Sequence, residues 1–167
     1  MSGSITFLTY PSLDLAMPDD VRRNDYAYAL RENAAHSPEL NQMMVVMLAI
    51  HAAEIGDAAG ALRWLRHEQE KFLKPPFNVR SETPHNNCTH ILATATGFLQ
   101  NFLYGFTGLR VADKGLVAKY APALPDDFKS ITLRGVAFRG ERFDFTVARA
   151  PRPASSGERG PQHHAQR

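Results

Sequence analysis

Between Leu40 and Ile55 the chain reads Leu-Asn-Gln-Met-Met-Val-Val-Met-Leu-Ala-Ile-His-Ala-Ala-Glu-Ile. Ser37-Pro38-Glu39 just before it is a cap residue followed by proline at a first turn, which predicts a helix opening there. Leu40, Met43, Met44, Met47, Leu48, Ile50 and Ile55 leave this helix apolar nearly all round, a pattern that requires burial on most sides. The run from Met43 to Ala53 is interrupted by His51 and is too short to cross a bilayer. Whatever this chain folds into must therefore wrap other elements around residues 43–55.

The candidates for that wrapping are few. Asp19 or Asp20 caps a helix expected to reach Ala35, with Val21, Tyr28 and Leu30 among its inward positions. Gly56-Asp57 ends the apolar helix and starts the next. There Ala58, Ala61, Leu62, Leu65 and Phe72 share a face, and Arg63, Arg66, Glu70 and Lys71 take others. Lys74-Pro75-Pro76 stops that helix. A fourth helix is predicted from Thr89 or Thr94 to Phe106, rich in Phe98, Leu99, Phe102 and Leu103, with Gly105 and Gly108 at its end. Residues 5 to 10, ahead of Pro11, read as a short strand or an extended buried segment.

Past Gly108 the texture turns to strands. Leu109–Val111 and Gly115–Ala118 are short extended segments. Ser130–Arg139 and Glu141–Ala148 alternate apolar and polar residues around a turn at Arg139-Gly140-Glu141. From Ala150 the chain is Pro, Ser, Gly, Gln and charge, the composition of a disordered tail, and its His163-His164 pair reads as solvated. Two strands cannot hold a core of their own, and three helices are scant cover for the apolar one. The chain therefore reads as part of something larger. An apolar face is expected along the helices at 39–55 and 89–106, with self-association or poor solubility as its consequence.

Between the third and fourth helices lies Pro76-Phe-Asn-Val-Arg-Ser-Glu-Thr-Pro-His-Asn-Asn-Cys-Thr-His90, a polar, turn-rich loop with one carboxylate, Glu82. Polar loops held between packed elements are where binding and catalytic groups concentrate. His85, Asn86, Asn87 and His90 suit hydrogen bonding to hydroxyls, although such residues also populate ordinary turns. Cys88 is the single cysteine, so no internal disulfide forms, and it is expected to be a buried structural thiol. The 19 basic and 17 acidic residues are scattered, which argues against a nucleic-acid surface. No signal-peptide pattern is present, and the reading is a soluble, cytoplasmic protein without a membrane span. No cofactor and no metal site is indicated.

Phe77-Asn-Val-Arg-Ser-Glu-Thr83 and Thr96-Gly-Phe-Leu-Gln-Asn-Phe-Leu-Tyr-Gly-Phe-Thr-Gly-Leu-Arg-Val111 together resemble the C-terminal part of glycoside hydrolase family 65. The likeness is to its hydrolase branch, the acid trehalases and the glucosidase acting on glucosyl-galactosyl-hydroxylysine. Phe7-Leu-Thr-Tyr-Pro11, Pro18-Asp-Asp-Val-Arg-Arg23 and the hairpin from Ile131 to Val147 are similar in the same order, so the resemblance covers about residues 4 to 148.

It implies a mainly α chain with a C-terminal β part. Residues 1–107 would be the last helices of an (α/α)₆ toroid, residues 108–149 part of a β-sandwich, and 150–167 a disordered tail. It also implies an inverting mechanism on a glucoside or disaccharide. One carboxylic acid protonates the leaving oxygen, and a second carboxylate about 6.5–9.5 Å away activates water. Glu82 aligns with that base, and Arg80, His85 and Asn86 are the accompanying candidates for sugar contact.

The family's general acid lies in an upstream segment that this sequence lacks. Its Lys-Gln pair is replaced by Met1-Ser2, and its Gly-rich helix start by Ala93-Thr-Ala-Thr96, with only Gly97 kept. The chain alone is thus expected to be inactive, its acid lying on an N-terminal part of the barrel that is either missing or separately encoded. A family phosphorylase is a weaker expectation, because Leu40-Asn41-Gln42 has no Ser pair for phosphate. A non-catalytic carbohydrate-binding remnant is the reading from another class.

Overall fold

The computed structural model describes residues 16–36, 40–85, 88–113 and 115–149. The expected strand at 5–10, the Ser37-Pro38-Glu39 helix start, Asn86, Asn87 and the tail lie outside them.

Helix α1 spans Asp19–His36, α2 Gln42–Glu54 and α3 Ala58–Phe72. Strands β1 (Leu73–Lys74) and β2 (Val79–Arg80) form a small ladder beneath the polar loop. Helix α4 (Leu92–Gln100) runs into a π-helical segment, Asn101–Phe106. Then come β3 (Leu109–Ala112) pairing with β4 (Gly115–Ala118), and β5 (Ser130–Phe138) pairing with β6 (Glu141–Ala148), all antiparallel. The result is a helical assembly with small antiparallel sheets towards its C-terminal end.

Helix α2 is the axis of the packing. Its N-cap is Asn41, whose side chain accepts from Met44 N at 2.9 Å, so the first described turn begins later than the Ser37-Pro38 signal suggested. Every residue from Met44 to Ala53 is buried. The cover comes from α3 along one side and from α4 with the π-helical segment along another. These partners suffice in part because α4 comes very close. A Cβ on Gly97 would lie 2.7 Å from Val46 Cγ2, so only glycine lets α4 sit this near α2. Gly105 packs beside Ile50 and Ala53, where a Cβ would meet them at ordinary contact distance. The expected apolar face along 39–55 is thus absent among the described residues. The later helix does present one, with Leu92 75% and Leu99 64% exposed.

Helix α1 turns differently from the sequence expectation. Val21 is 39% exposed, Tyr28 and Leu30 are half-buried, and the inward positions are Arg22, Tyr26, Ala29 and Asn33. Tyr26 is fixed by a hydrogen bond from Trp64 Nε1 on α3 at 2.9 Å. An edge-to-face series, Phe98–Phe102–Phe106–Phe128, has centroids 5.5 to 5.9 Å apart. It carries the core from α4 to the segment before β5.

The strand register follows the turn chemistry. Arg139 and Gly140 both have positive φ, as a two-residue type I′ hairpin demands, and Gly140 supplies the residue suited to it. A bulge between Leu133 and Val136 places Gly135 N on Asp144 Oδ1 at 2.7 Å. Gly108, at φ +71, ends the helical part, and its carbonyl accepts from Lys119 N and Tyr120 N.

Candidate functional site

The polar loop is pinned at both flanks. Leu73 pairs with Arg80 and Lys74 with Val79, and Ser81 bridges to Thr89. Ser81 is fully buried; its N donates to Phe72 O at 3.0 Å, and its Oγ reaches Phe72 O and Thr83 O at 3.1 and 2.8 Å. Lys74 Nζ donates to Pro84 O.

Glu82 stands at the centre of this frame. Its N donates to Cys88 O and its carbonyl accepts from Gln42 N, both at 2.9 Å. The second bond satisfies one of the first-turn amides of α2, so the loop and the helix start complete each other. With its backbone held twice, the Glu82 side chain is exposed. A carboxylate on a clamped backbone with an open face is reachable by water and by a ligand, as a candidate base must be. His85 is exposed on the same loop, and Asn86 lies outside the described residues. Cys88 is exposed, against the expectation of a buried thiol, while its carbonyl accepts from Glu82 N.

Beneath the loop sits a buried carboxylate that the sequence reading did not single out. Glu68 is wholly buried on α3. It accepts from Gln42 Nε2 and from Arg80 Nε, the latter at 2.7 Å. The Arg80 guanidinium also lies 4.5 Å from the Phe98 ring centroid. Arg80 is thereby fixed between Glu68 and α4, and part of its hydrogen-bonding capacity is committed to the fold. It still lines a cavity of about 290 Å³ together with Asn78, Val79, His90, Ile91, Leu92 and Ala95. Glu82 is not part of that lining. The signal for Glu68 was in the sequence: Ala61, Leu65, Glu68 and Phe72 fall at helical spacing on one inward stripe, and Glu68 is its single charge.

A second buried carboxylate closes the far end of α2. Glu54 accepts from His51 Nδ1 at 2.8 Å, from Arg22 NH1 at 3.1 Å and from Arg110 NH2. Burial alone would push its carboxyl up. The hydrogen bond from His51 and the charges of His51, Arg110 and Arg22 outweigh burial and hold it below the ordinary carboxylate value. Cations at the last turn of a helix also suit its dipole. Among the described residues no group of histidine, cysteine and carboxylates is arranged to hold a metal ion. No helix among them is long and apolar enough to cross a membrane.

No protein-family model matches the chain. Among curated proteins it is similar to the protein-glucosylgalactosylhydroxylysine glucosidase of Danio rerio, 32% identical over 146 residues. That alignment takes in 87% of this chain and 21% of the relative. A kojibiose hydrolase of Mucilaginibacter mallensis is 28% identical over 134 residues, 80% of this chain and 19% of its own length. The glucosidase of Gallus gallus is 25% identical over 148 residues, 88% and 20% respectively. The chain thus spans about a fifth of the length of the curated relatives it matches. These relatives are glycoside hydrolases of the kind the sequence resembles, and the likeness runs through most of the chain.

Proposed function

We propose that this chain is the C-terminal part of an inverting glucosidase of glycoside hydrolase family 65, with Glu82 as the general base. In this reading α1 to the π-helical segment are the closing helices of an (α/α)₆ toroid, and β3 to β6 begin a β-domain. The general acid comes from the part of the fold that the relatives have and this chain does not span. The substrate class is a glucoside or disaccharide, in keeping with the names of the glucosidase and kojibiose hydrolase relatives.

The observation that supports the proposal is the double backbone clamp on Glu82, an exposed residue that the family resemblance aligns with the base. Glu82 takes a proton from water as the water attacks the anomeric carbon, while the acid on the other face protonates the departing oxygen. Hydrolysis is favoured over phosphorolysis by the start of α2. Asn41 caps the helix, and Gln42 gives its amide to Glu68, so neither side chain is available to hold phosphate there.

The test is reconstitution with the remaining barrel, followed by Glu82→Gln. Loss of kcat by about 10²–10⁴-fold is expected, the usual worth of a positioned base. An unchanged rate would remove Glu82 from the mechanism.

A further inference from the structure

Glu68 is a buried carboxylate that the proposed reaction does not use. It is enclosed on α3, and Gln42 Nε2, Gln69 Nε2 and Arg80 Nε all donate to it. Two of these partners lead to the candidate site. Gln42 gives its backbone N–H to the Glu82 carbonyl at 2.9 Å, so the residue that binds Glu68 also holds Glu82. Arg80 lies two residues before Glu82 on the pinned loop, which keeps their Cα atoms within roughly 7 Å.

Arg80 is committed on one edge only. Its Nε meets Glu68 at 2.7 Å, and its guanidinium lies 4.5 Å from the Phe98 ring centroid. Nη1 and Nη2 donate to no group among the described residues, and neither is buried without a partner. The side chain keeps 19% of its exposure and lines the cavity of about 290 Å³, so this edge is reachable from there. Asn78 and His90, both exposed, add polar groups to the lining, and Ile91, Leu92 and Ala95 give it an apolar wall.

Charge decides what such a cavity receives. A guanidinium fork with no counter-charge favours phosphate or carboxylate oxygens. Here Glu68 already cancels the Arg80 charge from beneath, and Glu82 stands two residues away with a carboxylate of its own. What remains are N–H donors on a pair of no net charge, beside an amide and an imidazole. A few convergent polar groups against an apolar wall is the make-up of a small-molecule site. This set suits a sugar ring, whose hydroxyls both donate and accept and whose C–H face meets Leu92 and Ala95.

We infer that Glu68 is a positioning residue for the candidate site: it orients and neutralises Arg80, so that the cavity beside Glu82 takes an uncharged sugar ring rather than an anion. Through Gln42 the same carboxylate keeps Glu82 in register with that cavity. The inference rests on the glycosidase reading for the identity of the ring. Glu68 itself touches no part of it.

The experiment titrates the full chain with methyl glucoside and, separately, with sodium phosphate against sodium chloride at constant ionic strength. It follows the Arg80 Nε–Hε and the Val79 and Ala95 amide resonances. Saturable shifts with the glucoside alone are expected, with half-saturation on the order of 1–10 mM for one ring. Glu68→Gln keeps an acceptor for Arg80 Nε and removes the counter-charge. Its phosphate affinity should rise about tenfold while its glucoside affinity falls, a change of selectivity that a purely structural carboxylate would not produce. Arg80→Lys keeps a charge for Glu68 without the planar fork and should weaken the glucoside about fivefold. Saturation by phosphate in the unsubstituted chain, saturation by neither ligand, or unaltered selectivity in Glu68→Gln overturns the inference. Unaltered glucoside affinity in Arg80→Lys does the same, whether or not Glu68→Gln folds. Glu82→Gln in the reconstituted barrel tests the glycosidase reading separately, and its failure leaves the chain's choice between glucoside and phosphate to be read on its own.

Discussion

The two ends of α2 are each closed by a buried glutamate and arginine, and they differ in what holds them. At the N-terminal end Glu68 takes Arg80 from 12 residues on, and the Arg80 side chain keeps 19% of its exposure. At the C-terminal end Glu54 draws Arg22 from α1 and Arg110 from β3, whose side chains are 7% and 1% exposed. The first arrangement braces a loop whose outward face, with Glu82, is exposed. The second joins three elements. A buried ion pair is weak evidence of net stability, but removing one partner strands the other. The cost should therefore track how completely each arginine is desolvated.

The strongest challenge to that comparison is a pair of variants. Glu54→Gln removes the carboxylate that pairs with two buried guanidinium groups and should cost about 3–5 kcal/mol in chemical denaturation. Glu68→Gln should cost about 1–3 kcal/mol, since Arg80 can turn towards water and keep Phe98 beneath it. Equal losses would abolish the distinction.

The same carboxylate sets a pH signature. Its folded pKa lies below the unfolded one, so its contribution is complete above the ordinary carboxylate value and declines as pH falls through the lowered folded value. Glu54→Gln should flatten that acid limb in denaturation curves recorded at stepped pH; an unaltered limb would locate the acid sensitivity elsewhere.

Between the two ends, Gly97→Ala drives a Cβ against Val46 and should cost about 1–3 kcal/mol by thermal melting. A neutral result would mean that α4 can retreat from α2. The smallest effect is expected at the loop itself. Glu82→Gln in the isolated chain should change stability by less than about 0.5 kcal/mol, because only its backbone is engaged. A large loss would make Glu82 a structural carboxylate like its buried neighbours.

Much of this architecture was legible in the residues. The all-round apolar helix, the Gly56-Asp57 break, the double proline after α3 and the alternation of β5 and β6 each match an element. They are local signals, read from period, caps and turns. What escaped reading depends on long-range partners. Val21, expected inward, is exposed and Arg22 takes the inward position beside it, drawn by Glu54 32 residues away. Glu68 is a charge on an apolar stripe, and it makes sense only once Gln42 and Arg80 are brought to it. The π-helical register at Asn101–Phe106 follows no cap or turn signal. Within it Asn101 Nδ2 donates to Gly97 O at 3.0 Å. At the candidate site the polar loop was recognisable, while the clamp on Glu82 was not, because backbone bonds leave no mark on composition.

The unequal spans of the two buried clusters also set an order of assembly. Joining Glu68 to Arg80 closes 12 residues of chain, whereas joining Glu54 to Arg110 closes 56. The longer closure costs roughly 1.4 kcal/mol more in chain entropy. Refolding should therefore nucleate on α2, α3 and the loop, with β3 docking late. Mutations at Arg80 should then slow folding, and those at Arg110 chiefly speed unfolding.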